Sequence, residues 1–417
     1  MCKENFIHRF FYSLDQYIEY SLILVVFFLP LSLDLTTYCL MGSFGLWLVK
    51  LLYRRKWLLR STPFDLIIGF LTLFSFASVW GSPDVGFSFY NYYNLMGRYL
   101  LIYYLVVHNV HSLDQVKRLV AVLLFSAFFV NLYGYYQYIF GVDISAFQWV
   151  DDAQFPDLKV RVFSTLKNPN LLAFFLVTIM AVASGLGFYA PDRKYKSALF
   201  SLVAASGACL VMTYSRGAWI SLFAVFAAFG WWYNRKILWL ILFVPLLIFF
   251  AHNGVLERLL SVLNPTTDSS SSLRLALWES TWYMILDHPL LGIGWGAYYL
   301  VYPAYDFYVV AGKIFHAHNM YLNIAAEIGV PGFLCFMAFF YGHGKLALVL
   351  CKESRDPYIA GLMLGVLAAF LALVISGFTD YTLFNIQMSM LFWFLNALIV
   401  QSWRLSRRVD CLTLQDK

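Results

Sequence analysis

The chain consists of long apolar runs separated by short polar segments. A membrane-spanning helix needs about 20 predominantly apolar residues, and by that measure the pattern predicts about twelve spans. They cover residues 19–34, 36–53, 64–80, 96–109, 116–140, 169–190, 197–214, 217–233, 237–252, 318–342, 358–377 and 383–402. We therefore predict an all-α polytopic membrane protein, with residues 1–417 forming a single membrane domain.

The composition supports this class of fold. Of the 417 residues 61% are hydrophobic and only 12% are charged, whereas a soluble domain carries about 25% charged residues. The six cysteines lie far apart without a C-x-x-C pair, so they indicate neither a zinc site nor a disulfide framework.

The distribution of basic residues predicts the orientation of the spans. If the N-terminus is cytoplasmic and the spans alternate, 21 of the 29 Lys and Arg residues fall on the cytoplasmic side and the other 8 outside. Cytoplasmic loops are enriched in Lys and Arg. The bias therefore predicts that both termini are cytoplasmic and that the longer loops are outside.

Two outer segments are longer than a turn: a smaller one at 141–168 and a large one at 253–317, inserted before the last three spans. Long loops on a rigid scaffold often carry function. Within the larger loop, SSSLRLALWESTWYMILDHP predicts an amphipathic helix whose aromatic face lies in the outer membrane interface. Its apolar residues at helical spacing are Leu273, Leu277, Trp278, Trp282, Ile285 and Leu286.

An arginine interrupts apolar sequence in TYSRGAWISL, residues 213–222. A charge at membrane depth costs about 2.5–3.5 kcal/mol on insertion scales, so Arg216 needs a partner. It either reaches the outer headgroups, or bonds carbonyls of a broken helix, or forms an anion site at the outer mouth of the bundle. Guanidinium suits bidentate phosphate binding, and Ser215 with the free N–H groups of the next helix would reinforce that site.

A second arginine, Arg274, lies in the first turn of the predicted amphipathic helix. Helix N–H groups there also favour an anion. The alternative is a solvated interfacial charge, and the sequence leaves both open.

The segment FHAHNMYLNIAAEIGVPG, 315–332, places two histidines directly before an apolar helix. Asn319, Asn323 and Glu327 are spaced i, i+4 and i+8, so they share one face that we expect to point into the bundle. Interhelical hydrogen bonding would account for Asn323 and Glu327. His316 and His318 fit either a metal-binding pair, for which Asp306 is a weak third ligand, or general-base work by a neutral histidine near an arginine-held anion.

Several familiar sites are missing from the sequence. GIGWG at 292–296 follows no strand and opens no clear helix, so it indicates a turn or a tight-packing element rather than a nucleotide site. There is no P-loop, no G-x-S-x-G and no paired acidic motif typical of metal-dependent sugar transfer. We therefore expect no cofactor, no metal and no nucleic-acid partner.

Four motifs in order resemble the O-antigen ligase and polymerase superfamily. They are TYSRGAWISL, the R-x-x-x-W of Arg274 and Trp278, DHPLLGIGWGAY and HAHNMYLNIAAEIGVPG. The similarity is strongest over roughly 160–335, and the span count and topology agree elsewhere. RVFSTLKNPNLLAFFL, 161–176, also resembles members labelled as bicarbonate transporters.

This resemblance implies a glycosyltransferase C-type-like membrane fold in the bacterial cytoplasmic (inner) membrane, with the active site facing the periplasm. Members move a glycan from an undecaprenyl-diphosphate carrier to a glycolipid acceptor such as lipid A-core, with inversion and without a metal. By resemblance, Arg216 and Arg274 hold the diphosphate and His318 is the base. We assign to substrate binding further residues within the quoted segments, namely Arg161, Tyr214, Ser215, Trp278 and Asn319.

The sequence leaves four functions open: a ligase, a polymerase, a protein O-glycosylating relative, which the lack of an added C-terminal extension disfavours, and a transporter. The length and the single moderate outer loop favour a ligase over a polymerase of the same family. An anion (bicarbonate) transporter is the alternative from another class, but such a carrier would want polar groups at the bilayer midplane and an inverted repeat. The candidate residues here cluster at the outer face.

Overall fold

The computed structural model describes residues 13–54, 60–142, 161–239, 269–308 and 313–415. Over these residues the chain forms helices and no strand. The longer ones are α1 (Leu14–Phe28), α2 (Leu33–Arg54), α3 (Asp65–Ser78), α4 (Val85–Asn109), α5 (Leu113–Phe140), α6 (Pro169–Tyr189), α7 (Arg193–Val211), α8 (Arg216–Trp232), α9 (Ser269–Asp287), α10 (Met320–Glu353), α11 (Pro357–Ser376) and α12 (Ile386–Gln415). Short helical turns lie at Val79–Gly81, Ser164–Leu166, Arg235–Ile237, Tyr298–Val301, Tyr302–Tyr305 and Thr382–Phe384.

The chain is a helical membrane protein, as its sequence predicts. In the described ranges six helices, α2, α5, α6, α10, α11 and α12, are long and apolar enough to cross a membrane. Each predicted apolar segment coincides with a helix except 237–252, which lies outside the described residues from 240 onward. Most of loop 141–168 and the beginning of loop 253–317 also lie outside them. The count of twelve spans stays a prediction.

The centre of the bundle is the contact between α6 and α11. These two helices approach closely because glycines face each other: a Cβ on Gly185 would lie 2.4 Å from the backbone N of Gly365 and 2.5 Å from the carbonyl O of Gly361. Small residues at such a contact let two backbones pack directly. This close contact fixes the position of the first turn of α6 relative to the loop that follows α11.

Basic residues collect at one end of the bundle. Lys50 and Arg54 pair with Asp15 at 2.7 and 2.6 Å, and Arg404 donates to the carbonyls of Val107 at 2.9 Å and Ser61 at 2.7 Å. Arg404 lies in the second half of α12, whose first residue is Ile386. At 1.5 Å per residue these two positions are about 27 Å apart, close to the thickness of a bilayer core.

The predicted amphipathic helix is present as α9, and it is apolar on two sides. Leu277 and Ile285 are buried in a second core cluster, where α9 packs against α10. Trp282 and Leu286, which the periodicity placed on the same face, are 53% and 54% exposed. The six apolar positions span too wide an arc for one contact, so the protein covers one side and leaves the other to its surroundings.

The glycine-rich segment after α9 is a tight-packing element, as predicted. The N–H groups of Ile293 and Gly294 donate to the carbonyls of Ala326 and Glu327, at 2.8 and 3.1 Å. The carbonyl of Ala326 is free because α10 is interrupted at Gly329 and the N–H of Val330 donates to Pro289 instead. The carbonyl of Glu327 is free because Pro331 has no N–H. The segment therefore fastens α9 to the first two turns of α10.

Replacing Gly292 by alanine should destabilise this junction. Gly292 has φ +74°, and a Cβ there would lie 2.5 Å from the carbonyl O of Glu327. Residues forced into such backbone conformations cost about 1–3 kcal/mol, so we expect a clearly lower melting temperature of the detergent-solubilised protein. Gly69→Ala is the matched control, since no atom lies within 4 Å of the added Cβ in the interior of α3. An equal melting temperature for Gly292→Ala and wild type would contradict this account.

Candidate active site

Four segments meet at the end of the bundle opposite the basic residues. Val162 donates to the carbonyl of Met212 at 3.1 Å, and Met320, the first residue of α10, donates to the carbonyl of Gly377 at 2.8 Å. The side-chain amide of Asn170, at the start of α6, donates to Asp380 Oδ2 at 3.2 Å. The chain around 161–170, the turn before α8, the turn before α10 and the loop 377–385 thus form one surface.

A histidine–carboxylate pair lies at the centre of this surface. His318 Nδ1 is 3.3 Å from Asp380 Oδ1, and the side chains are 33% and 18% exposed. If the proton is on Nδ1, the carboxylate fixes that tautomer and the lone pair of Nε2 remains available. A histidine oriented in this way is suited to accept a proton.

The carboxylate of Asp380 is itself held in place. The N–H of Tyr381 donates to its Oδ1 at 2.8 Å, while Asn170 holds Oδ2. Asn170 in turn accepts from Arg161 Nη2 at 3.3 Å, and Arg161 Nε donates to the carbonyl of Thr213 at 3.0 Å. A chain of polar contacts therefore connects His318 to the turn that carries TYSRG.

Asp380 is ionised at neutral pH. Burial would raise its pKa, but the hydrogen bond from His318 and the charge of that imidazole when protonated outweigh burial. The charge of Arg274 acts in the same direction, as does that of His316 when it is protonated, and the pKa of Asp380 lies well below its ordinary value. The contribution of this carboxylate to stability is present above the ordinary carboxyl pKa and is lost only as the pH falls through the depressed one.

Arg274 lies within electrostatic reach of the pair. Its positive charge lowers the pKa of Asp380 and of His316, although α9 is separated from both residues in sequence. Arg274 and Trp278 are one helical turn apart on α9, on the same face. The indole Nε1 of Trp278 is buried and has no hydrogen-bond partner within the described part of the chain.

Arg216 borders the same surface from another side. It is the first residue of α8, where the free backbone N–H groups give a helix start its anion affinity. A Cβ on the next residue, Gly217, would lie 3.0 Å from Thr379 Oγ1, and Thr379 precedes Asp380. The structure thus brings the start of α8 against the loop that carries the carboxylate.

His316 packs beside His318, with ring centroids 4.3 Å apart, and its Nδ1 accepts the backbone N–H of His318 at 3.2 Å. Burial lowers the pKa of His316 to about 3, and the charges of His318 and Arg274 act in the same direction. It is therefore neutral at physiological pH.

The two histidines and Asp380 form a cluster. One ligand atom from each of His316, His318 and Asp380 lies within 4.8 Å of the others, so Asp380, and not Asp306, is the third group beside the two histidines.

Unusual backbone conformations cluster around this surface. In the described ranges, the non-glycine residues with positive φ are Ser164, Lys167, Tyr214 and His318, at +49°, +60°, +54° and +48°. All four belong to the segments that meet here. Such conformations are costly and concentrate at functional sites.

The other predicted substrate-binding residues lie nearby in different settings. Tyr214 occupies the turn before α8, and Ser215 is buried at the N-cap position without a side-chain cap bond. Asn319 is the N-cap of α10: its oxygen accepts the N–H groups of Tyr321 and Leu322. Its amide oxygen is thus already engaged, and a substrate-binding role for all three stays a prediction.

The polar stripe on α10 faces the interior, as predicted. Asn319, Asn323 and Glu327 are 6%, 0% and 6% exposed. Asn323 accepts the N–H of Ala317 at 2.9 Å, and Glu327 accepts the N–H of Gly296 at 3.1 Å. These two residues fix the loops on either side of the site.

Two residues of the site were missed by the sequence reasoning. Asp380 is an acidic residue in GFTDYTLF, between the last two apolar segments. The Lys and Arg distribution predicts that this loop lies on the outer side of the membrane. Asn170 lies in segment 161–176, at the start of a predicted span, and no feature of the sequence distinguishes it. An acidic residue at a predicted span boundary was the available signal for Asp380.

Asp380→Asn should reduce catalytic turnover without unfolding the protein. The amide has nearly the same shape but no longer fixes the tautomer of His318, and an equivalent change in a Ser-His-Asp triad costs about 10⁴-fold in kcat. We expect a loss of about 10²–10⁴-fold in kcat with KM close to wild type, and a lower melting temperature because the amide lacks the charge that stabilises the folded state. A loss confined to KM, or to folding, would show that Asp380 does not position the base.

One family model matches the chain. It is described as O-antigen ligase and covers residues 200–337, which include the turn before α8, all of α9, the glycine-rich segment and the two histidines. We found no curated protein that matches the chain. Over residues 200–337 the chain is thus similar to the O-antigen ligase family, in the same stretch where its sequence motifs resemble that superfamily.

Proposed function

We propose that this protein transfers a glycan from an undecaprenyl-diphosphate carrier to a lipid A-core or similar glycolipid acceptor, outside the cytoplasmic membrane. The observation that carries the proposal is the pairing of His318 with Asp380 at 3.3 Å on a surface bordered by the segments of Arg161, Arg216 and Arg274. A base beside several fixed positive charges suits the transfer of a group from a diphosphate to a hydroxyl.

The arrangement of the bundle supports an outer location for this site. The basic residues of the short loops lie at the opposite end, about 27 Å away along α12, and Lys and Arg are enriched on the cytoplasmic side. We propose twelve spans with both termini inside and a glycosyltransferase C-type-like arrangement. The loop containing α9 would then be periplasmic, with the exposed side of Trp282 and Leu286 in the membrane interface.

The proposed reaction is a direct displacement. His318 Nε2 accepts the proton of an acceptor hydroxyl, whose oxygen attacks the anomeric carbon of the donor glycan. The bond from that carbon to the diphosphate oxygen breaks, and undecaprenyl diphosphate leaves. A single displacement inverts the anomeric configuration.

The arginines would act on the leaving group. Arg216 and Arg274 neutralise the charge that develops on the diphosphate, which is the electrostatic role that commonly contributes most to catalysis. Bidentate guanidinium contacts also hold the donor in line with the acceptor hydroxyl. Arg161 is already committed to Thr213 and Asn170, so we assign it to shaping the site and not to the main diphosphate contact.

Lipopolysaccharide from a deletion strain of the host tests this function. Wild-type protein should restore the ladder of glycan-capped lipid A-core, and the vector alone should not. Accumulation of full-length carrier-linked polymer without the protein indicates a ligase, whereas core bearing a single repeat indicates a polymerase. An unchanged ladder in the deletion strain would reject both.

A further inference from the structure

Two imidazoles and a carboxylate converge beside the proposed base. The backbone turn at His318 places its ring 4.3 Å from that of His316. Asp380, 62 residues further along the chain, completes a group whose ligand atoms all lie within 4.8 Å of one another. Two histidines and a carboxylate are a ligand set typical of divalent transition metals, zinc above all.

The spacing of the donor atoms fits a tetrahedral ion. Zinc–nitrogen and zinc–oxygen bonds of about 2.0–2.2 Å put two ligand atoms of a tetrahedron roughly 3.4 Å apart. His318 Nδ1 and Asp380 Oδ1 are 3.3 Å apart, so one edge is already formed. The longest separation in the group is at most 4.8 Å, so closing it to a tetrahedral edge needs a shift of at most roughly 1.4 Å, which a side-chain rotation can supply.

The surroundings orient the carboxylate but limit the affinity. Asn170 and the N–H of Tyr381 both donate to Asp380, and such outer contacts fix ligand geometry at metal sites. The positive charge of Arg274, which reaches His316 and Asp380, opposes a bound cation. A metal on His316 must also take the Nδ1 lone pair that now accepts the N–H of His318, because a neutral imidazole has one such lone pair. This balance favours reversible binding over a permanent structural site.

We propose that His316, His318 and Asp380 bind Zn²⁺ and that the bound ion inhibits glycan transfer. Inhibition rests on the proposed function, whereas metal binding does not. A metal on Nδ1 of His318 takes the lone pair that faces Asp380 and leaves the ring proton on Nε2. The nitrogen that would accept the proton of the acceptor hydroxyl then has no free lone pair.

Co²⁺ titration of the purified full-length chain in nanodiscs tests binding without any need for activity. Wild type should show a saturable visible absorption band of tetrahedral Co²⁺, displaced by Zn²⁺. His316→Gln should weaken binding at least about tenfold, while its amide can still accept the N–H of His318. His288→Gln is the matched control, since His288 is exposed beyond the end of α9. No saturable band in wild type, or equal affinity in His316→Gln, would overturn the proposal.

Zn²⁺ inhibition of transfer tests the second half. Each variant is compared with its own rate without Zn²⁺, and His316→Gln should need at least about tenfold more Zn²⁺ for half-inhibition of that rate. An active wild type that Zn²⁺ does not inhibit would show the regulatory part to be wrong. Co²⁺ binding by a chain with no transferase activity would contradict the proposed function and support the metal site. Glycan transfer by a chain that does not bind Co²⁺ would support the proposed function and contradict the metal site.

Discussion

His318→Ala lowers glycan transfer by about 10²–10⁴-fold, the range that a positioned general base contributes. The expected loss is in kcat, because the base acts on the proton of the acceptor hydroxyl in the transition state and contributes little to ground-state binding. Steady-state kinetics with a purified donor and acceptor measure the effect. The melting temperature should change little, since the ring of His318 is one-third exposed.

The control for this prediction is His288→Ala, which removes an exposed imidazole from a nearby loop and should retain wild-type kcat. A His318→Ala protein that keeps more than a tenth of wild-type turnover would remove His318 from the role of base. His318→Ala with normal kcat but raised KM would place it in acceptor binding instead.

Arg274→Ala lowers kcat/KM for the lipid-linked donor by about 10–150-fold. Hydrogen bonds to charged groups contribute about 1.5–3 kcal/mol each, and the guanidinium would contact a leaving group whose charge grows in the transition state. Arg216→Ala should have an effect of the same order. Lysine at either position keeps the charge without the bidentate geometry, so it should recover only part of the loss.

Lys313→Ala is the matched control for both arginines. Lys313 is an exposed basic residue on the segment that leads to the two histidines, so it tests whether any positive charge near the site has this effect. Equal losses for Lys313→Ala and Arg274→Ala would indicate general electrostatic attraction of the donor, and would argue against a specific diphosphate contact.

The helices were predictable because apolar runs and charge bias report directly on membrane insertion. The site was predictable only in part. Arg216, Arg274 and His318 stand out because a charge or a polar pair interrupts an apolar pattern, and the cost of burial makes such positions informative. Their order along the chain, however, does not give the distances between them in space, and 102 positions separate Arg216 from His318.

What brings these residues together is packing that the sequence does not display. The α6–α11 contact sets the position of the loop that carries Asp380, and the break at Gly329 lets the glycine-rich segment tie α9 to α10. Asp380 was overlooked because its neighbours in GFTDYTLF resemble an ordinary connection between two spans. The sequence predicted one apolar face for α9 where the structure has a buried side and an exposed side. Periodicity alone cannot distinguish a side that contacts protein from one that contacts lipid.

The central claim is that one metal-independent site, with His318 as base, moves the glycan in a single displacement. Purified full-length protein, given an undecaprenyl-diphosphate-linked glycan and lipid A-core in the presence of a chelator, tests this most directly. NMR of the product then gives the anomeric configuration of the new bond. We predict transfer with a configuration opposite to that of the donor, and at least about 10²-fold slower formation of product by His318→Ala. Retention of configuration, or loss of all transfer on chelation, would contradict the account.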